Sequence, residues 1–262
     1  MIPNHIGSGF FFLQAMDIRQ YLDSTYLKTS EQAGLTADEN RVVAEEIIIE
    51  AIQENFKLVM VRPDIVALAK NIITKADSKV LVGTVIDFPE GKGSLEDKLT
   101  EAKQAIRDGA DDLDFVVNYT AFKNGDIEVV KEQLVQCTHL GLQHNKVVKW
   151  IIEIAALTNE QVVAVCDLIR ETITSNFDED DYSRVFIKSS TGFYKTEGGL
   201  PNGATVPAIK LMLEHAGPLP VKAAGGVRNY DEAVQMIQLG VKRIGTSSAK
   251  AIVMGEAAAE GY

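Results

Sequence analysis

Two lysines in this 262-residue chain stand at the ends of apolar runs. Lys188 closes Val185-Phe186-Ile187 and precedes Ser189-Ser190-Thr191-Gly192, and Lys222 lies in Pro220-Val221-Lys222-Ala223-Ala224, ahead of Gly225-Gly226. Burying an ammonium without a partner is costly. A lysine is a nucleophile only when neutral, and bringing its reference pKa of ~10.4 down to near 7 takes about three units, or ~4 kcal/mol. Desolvation acts in that direction, and so does a second ammonium close by. At neighbouring strand ends the two would repel, which favours a free amine on one of them, the preparation a Schiff-base lysine needs. Asp114, within the apolar stretch Leu113 to Val117, supplies a carboxylate that can bridge the remaining ammonium and shuttle protons. Taken singly, Lys188 is better explained as a snorkelling strand-end lysine paired with a carboxylate, and the plain alternative for Asp114 is a structural ion pair.

Small residues gather at the ends of two apolar runs. Gly225-Gly226, and Gly245-Thr246-Ser247-Ser248 near the chain's end, have the type and place of a barrel phosphate site, where backbone N–H groups approach an anion closely. Gly192 and Lys195, in the loop Gly192-Phe193-Tyr194-Lys195 after Lys188, could add an N–H group and a charge. His5, His139, His144 and His215 are scattered without HxH or HExxH spacing, so no metal is expected. P-loop, strand-linked GxGxxG and GxSxG motifs are absent, which removes the physical parts of ATP, dinucleotide and serine-hydrolase chemistry and leaves no cofactor expected.

The elements that must position these residues alternate along the chain. Strand-like runs are 57–62, 79–88, 112–118, 147–154, 184–189, 220–224 and 243–247, with a weaker opening candidate in YLDSTYL, 21–27. Between them lie segments with apolar residues at three- and four-residue spacing, such as 37–55 after Thr36, 95–108 after Ser94, and 158–175. Eight βα units in about 250 residues predict an α/β fold, a single (β/α)8 TIM barrel with an extra amphipathic N-terminal helix ending before Tyr21. No linker or low-complexity tract divides the chain, so residues 1–262 are expected to be one domain, with the acidic run Asp178 to Asp181 as a solvated loop. In a barrel, catalytic groups gather at the carboxyl ends of the strands, where the residues above fall.

Composition narrows the partners. Hydrophobic residues make up 46% of the chain and the net charge is −11, which suits a globular fold and argues against nucleic acid as the main ligand. Phe10-Phe11-Phe12-Leu13 is too short to span a bilayer, so no membrane role is expected. Two cysteines, Cys137 and Cys166, are too few for a disulfide scaffold, and a reducing cytoplasm is the expected location.

FIKSSTG around Lys188, VKAAGGVR around Lys222, ADDLDFVVN around Asp114 and the closing GTSS resemble, in order and spacing, the class I deoxyribose-phosphate aldolases, from about Tyr21 to the last strand. The resemblance implies reversible cleavage of 2-deoxy-D-ribose 5-phosphate to D-glyceraldehyde 3-phosphate and acetaldehyde. In it, Lys188 matches the imine-forming lysine, Lys222 the second lysine that perturbs it, and Asp114 the carboxylate of the proton relay. Gly192, Gly225, Gly226, Ser247 and Ser248 fall on phosphate-binding positions, with Lys195 near one. Asp23 and Thr25 resemble the opening strand's polar pair, expected to line the pocket. Tyr262 matches a C-terminal tyrosine that assists proton transfer in some members. Two departures stand out: Met60 where members commonly have cysteine, and Ile154-Ala155 after Glu153 where a pair such as Thr-Gly is usual. The loop Phe193 to Ala204 is longer or richer than the shortest versions. The implied partners are a sugar phosphate and aldehydes, and fold analogy adds a homodimer. Competing readings are another Schiff-base barrel aldolase with a different aldehyde or ketone, and a non-catalytic sugar-phosphate-binding barrel in which Lys188 keeps its proton and pairs with Asp114.

Overall fold

The structure is a computed structural model that describes residues 17–256. Eight parallel strands close on themselves in chain order: β1 (Leu22–Tyr26), β2 (Leu58–Val61), β3 (Leu81–Ile86), β4 (Asp112–Val116), β5 (Val147–Ile151), β6 (Val185–Lys188), β7 (Val221–Ala224) and β8 (Arg243–Thr246). Closure is made by Leu22, Asp23 and Ser24 pairing with Ile244, Gly245 and Thr246. A principal helix follows each strand: α1 (Ala37–Gln53), α2 (Val66–Lys75), α3 (Leu95–Arg107), α4 (Ile127–Gln143), α5 (Asn159–Asn176), α6 (Val206–His215), α7 (Tyr230–Leu239) and α8 (Ala249–Met254). The expected (β/α)8 barrel is the observed one, with the weak opening strand in place. Most of the expected N-terminal helix lies outside the described residues; Ile18–Tyr21 is a single 3-10 turn capped by Asp17, which includes Tyr21 and runs straight into β1.

Local chemistry sets the helix starts. Thr36, Ser94 and Thr158 each accept a hydrogen bond from the N–H three residues on, and Glu39, Asp97 and Gln161 bond back to the cap's own N–H. These reciprocal bonds satisfy orphan donors and are typically worth ~1 kcal/mol per cap. Strand ends are shorter than the apolar runs suggested, because the chain turns early. Asp87 after β3 and Glu153 after β5 take left-handed backbone at φ 54° and 56°. The run Asp178 to Asp181 enters a 3-10 helix, Glu179–Arg184, in which Arg184 pairs with Asp181.

Period-two alternation sends the strands' large apolar side chains outward against the helices. Val59, Val82, Leu113, Phe115, Val148, Trp150, Ile187 and Ile244 join helix residues such as Ile48, Leu134, Val165 and Ile209 in one core. Phe115 stacks on Trp150 at 5.1 Å, whose indole N–H donates to Thr138 of α4 at 3.0 Å. On the inner side, Leu27, Leu58, Met60 and Val85 form one small apolar cluster, and Val116, Tyr119, Ile151 and Ala156 another. Met60 crowds Gly83 so closely that a Cβ there would lie 2.6 Å from its terminal methyl.

Helix α4 approaches the sheet through a glycine. A Cβ on Gly141 would stand 2.3 Å from a methyl of Val148, a stiff β-branched side chain on β5. Gly141→Ala is therefore expected to cost about 1–3 kcal/mol through overpacking, read as a lower urea midpoint with an unchanged slope.

Candidate active site

The inward faces of β4 to β8 and β1 carry charge where the other strands carry hydrocarbon. Lys188 and Lys222 are register partners on β6 and β7, and Asp114 and Lys149 on β4 and β5. Asp114 is the hub. One of its oxygens accepts from Lys149 at 2.6 Å, and the other accepts from both Lys188 at 2.9 Å and Lys222 at 3.0 Å. Lys149 also reaches Asp112 at 2.8 Å, while Lys222 pairs with Asp23 at 2.6 Å. Arg243 completes the ring, 2.6 Å from Asp23 and 3.3 Å from Asp112.

Four cationic side chains thus share three carboxylates, and all seven are buried. Burial alone would raise the Asp114 pKa, but Lys149, Lys188 and Lys222 hold it well below the usual range. Asp23 follows the same pattern: burial raises it, and Arg243 with Lys222 and Lys149 more than offsets that. Burial disfavours a proton on Lys149, yet Asp112, Asp114 and Asp23 together raise its pKa. Lys188 has Asp114 alone, and shares that oxygen. Burial pushes it down to about 8, with Lys222 and Lys149 helping and Asp114 opposing. Desolvation therefore leads, and the cationic neighbour expected to govern this amine is a second contributor. At pH 7 roughly a tenth of Lys188 is free amine, against about three in ten thousand for an unperturbed lysine.

Above Lys188 opens a pocket lined by Thr25, Thr191, Gly192, Gly225, Gly226, Arg228, Ser247 and Ser248 among others. Gly192, Gly225 and Gly226 have φ of 83°, 80° and 81°, backbone that favours glycine. The loop after β6 crosses this wall. Asn202 donates to the carbonyl of Gly192 at 3.1 Å, and Ala204 N–H to that of Gly225 at 2.8 Å. Gly203 lies so close that a Cβ would sit 2.3 Å from the Gly225 carbonyl. Thr246 bonds the Val227 carbonyl at 2.7 Å and so ties β8 to the loop after β7. Ser248 opens α8 without capping it through its side chain.

The structure brings Lys188, Lys222 and Asp114 together, and places Thr25, Gly192, Gly225, Gly226, Ser247 and Ser248 around one pocket. Asp23 lies a layer deeper, fully buried on Lys222 and Arg243, so it belongs to the charge ring and not to the pocket lining. Lys195 is exposed and outside the lining. Tyr262 lies outside the described residues. Met60 sits in the inner apolar cluster, and Ile154–Ala156 form a 3-10 turn. Lys149, Asp112, Arg243, Thr191 and Arg228 were not singled out from sequence. For the first three the available signal was a charge at period-two spacing inside an otherwise apolar strand, as in VVKWII and DLDF. Among the described residues no group of three or more His, Cys, Asp or Glu could hold a metal ion.

Fold and site together define a (β/α)8 enzyme of the aldolase kind. The sequence model of the DeoC/LacD family aldolases matches residues 13–257, and the chain belongs to that family. A relative from Thermococcus gammatolerans named deoxyribose-phosphate aldolase is 39% identical over 94% of this chain and 99% of its own. One from Enterococcus faecalis with the same name is 38% identical over 94% of this chain and 100% of its own. Among solved structures, the aldolase QR15 superposes with TM-score 0.76 at 33% identity, covering 91% of this chain and 95% of its own. A deoxyribose phosphate aldolase from Aeropyrum pernix, described as a unique tetramer, gives 0.71 at 27% identity, covering 90% of this chain and 89% of its own.

Asp114→Asn removes the anion that three ammonium groups share. It is expected to cost about 3–5 kcal/mol in chemical denaturation, the usual result of unpairing a buried charge. Because Asp114 raises the Lys188 pKa, the same change should drop it further below 8. The pH dependence of amine labelling at Lys188, followed by mass spectrometry, checks this.

Proposed function

We propose that this enzyme carries out the reversible aldol cleavage of 2-deoxy-D-ribose 5-phosphate to D-glyceraldehyde 3-phosphate and acetaldehyde, with Lys188 as the imine-forming residue. One observation carries the assignment. The ring holds one more cation than carboxylates, and the cation with the fewest partners is the lysine that reaches the pocket. Pairing of Lys188 with Asp114 would equally suit a barrel that only binds sugar phosphates. The surplus charge and the amine poised near neutrality favour the reactive form, and the names of the relatives agree.

In this mechanism the neutral Lys188 amine adds to the carbonyl carbon of the open-chain sugar, and loss of water leaves a protonated imine. A base takes the proton of the C3 hydroxyl.

 The C2–C3 bond then breaks. Its electrons pass into the imine to form the enamine as the C3 oxygen becomes the aldehyde of glyceraldehyde 3-phosphate. Protonation of the enamine at C2 and hydrolysis then release acetaldehyde and restore the amine. Asp114 and Lys222, in contact at 3.0 Å, are the groups assigned to carry these protons.

The 5-phosphate is assigned to the pocket wall of Gly192, Gly225, Gly226, Ser247 and Ser248, with Arg228 at its lip. Thr25 lines the pocket from β1, and Asp23 acts below it through Lys222. Lys195, exposed and outside the lining, is assigned no phosphate contact. Cytoplasmic location is part of the same proposal, supported by two free, buried cysteines, Cys137 and Cys166. So is assembly of identical barrels, a homodimer in its simplest form, which the tetrameric relative supports.

Borohydride reduction with acetaldehyde should leave one ethyl adduct on Lys188, and Lys188→Ala should lose both adduct and turnover; an adduct that persists in this variant rejects the assignment. With the free amine reacting, kcat/KM should climb with pH and level off above about 8. Ser248→Ala and Gly203→Ala should raise KM for the phosphorylated sugar roughly tenfold while leaving KM for unphosphorylated deoxyribose near its wild-type value, in steady-state assays of both substrates.

A further inference from the structure

Glu153 belongs to none of the roles above, yet it is 1% exposed at the end of β5. Its backbone is left-handed, φ 56° and ψ 68°, a conformation that costs a non-glycine residue on the order of 1–3 kcal/mol. One carboxylate oxygen accepts from the Thr191 N–H at 3.2 Å and from the Thr191 hydroxyl. The same hydroxyl accepts from Phe193 N–H at 3.0 Å. Gly192 lies between those two anchor points, and Asn202 holds its carbonyl from the other side. The second carboxylate oxygen of Glu153 is buried without a hydrogen-bond partner.

We propose that Glu153 is a positioning residue for the aldol reaction: through Thr191 it fixes the pocket wall at Gly192, and its charge acts on the Lys188 amine. The proposal rests on the aldolase assignment of Lys188.

The geometry explains why a buried carboxyl is kept at the end of an apolar strand. Thr191 and Gly192 both line the pocket that holds Lys188. A glycine at φ 83° has little intrinsic preference for that shape, so its neighbours must impose it. Glu153 does so with two hydrogen bonds to one residue. The groups that act on it electrostatically are Lys188 from β6, Glu90 from the loop after β3, and Tyr119, which follows β4 and packs edge-on against Tyr194 of the loop after β6. Burial pushes the Glu153 pKa up to about 7; the Thr191 bonds and Lys188 oppose that rise, and Glu90 adds to it. The sign at the amine follows. Glu153 stands beside Lys188 across the β5–β6 edge, since the N–H groups of Ile152 and Ile154 donate to the carbonyls of Lys188 and Ser189 at 3.0 Å each; an ionised Glu153 therefore favours the proton on Lys188, whereas a neutral Glu153 favours the free amine.

Three variants test this. Glu153→Ala removes clamp and charge, Glu153→Gln keeps an acceptor for Thr191 and removes only the charge, and Thr191→Val breaks the hydroxyl bond. Expected are a KM for the phosphorylated sugar raised roughly tenfold in Glu153→Ala and Thr191→Val. Glu153→Gln should restore KM to within about twofold of wild type while moving the acid limb of kcat/KM to lower pH. Melting curves accompany each assay. Wild-type KM and kcat in Glu153→Ala would overturn the proposal. So would a Glu153→Gln enzyme that matches Glu153→Ala in KM, or that keeps the wild-type pH profile. Acetaldehyde trapping separates the two levels: an adduct on Lys188 in the wild type, with these variants unaltered in KM and pH profile, rejects the role of Glu153 alone, whereas a wild type without the adduct rejects both.

Discussion

The barrel's interior is governed by a charge imbalance. Three carboxylates are shared among four cationic side chains in a space closed to water, and the arrangement is most comfortable with one proton fewer than full ionisation provides. An arginine does not give up its proton in a protein. Lys149 and Lys222 are each gripped by two aspartates, whereas Lys188 has half a claim on one oxygen of Asp114. The allocation of partners therefore singles out one amine, and the lysine proposed as the nucleophile is the one left over.

The apolar half of the interior makes that allocation possible. Leu58, Met60 and Val85 fill the side of β2 and β3, and Val116 and Ile151 cover the top of β4 and β5. They keep water from screening the ring, so each ammonium feels its aspartates at short range in a weak dielectric. Met60 reaches into the room that Gly83 leaves by having no side chain. The glycine loops at the mouth supply the complementary part, a wall of backbone shaped by Gly192, Gly225 and Gly226 and strapped by Asn202 and Ala204.

Much of this was legible in the chain. Alternating strand-like and helix-like runs located all eight strands, because a strand buried on both faces has to be apolar, and the caps Thr36 and Ser94 marked their helices at the correct residue. The lysine pair was legible for a related reason: a charge at the end of an apolar run needs an explanation. The rest of the ring was harder to see. Asp112, Lys149 and Arg243 are also charges in apolar strands, but nothing local says that they meet, since the contact from Arg243 to Asp112 spans 131 positions. Asp23 was noticed and put in the wrong layer, because spacing gives the face of a strand but not its depth along the barrel axis. Glu153 was hidden by its neighbours: it reads as the end of a strand, and only the backbone's left-handed turn brings it onto Thr191.

The aspartate hub also separates two kinds of failure. Asp114 and Asp23 bind protons more weakly folded than unfolded, so their contribution to stability is intact above the ordinary carboxylate range and fades only as acid takes them through their lowered folded-state values. The amine loses its reactive form far earlier, on falling through about 8. On the proposed assignment, lowering the pH consequently idles this protein without dismantling it, and a return to pH above about 8 brings the free amine back with no refolding step in between.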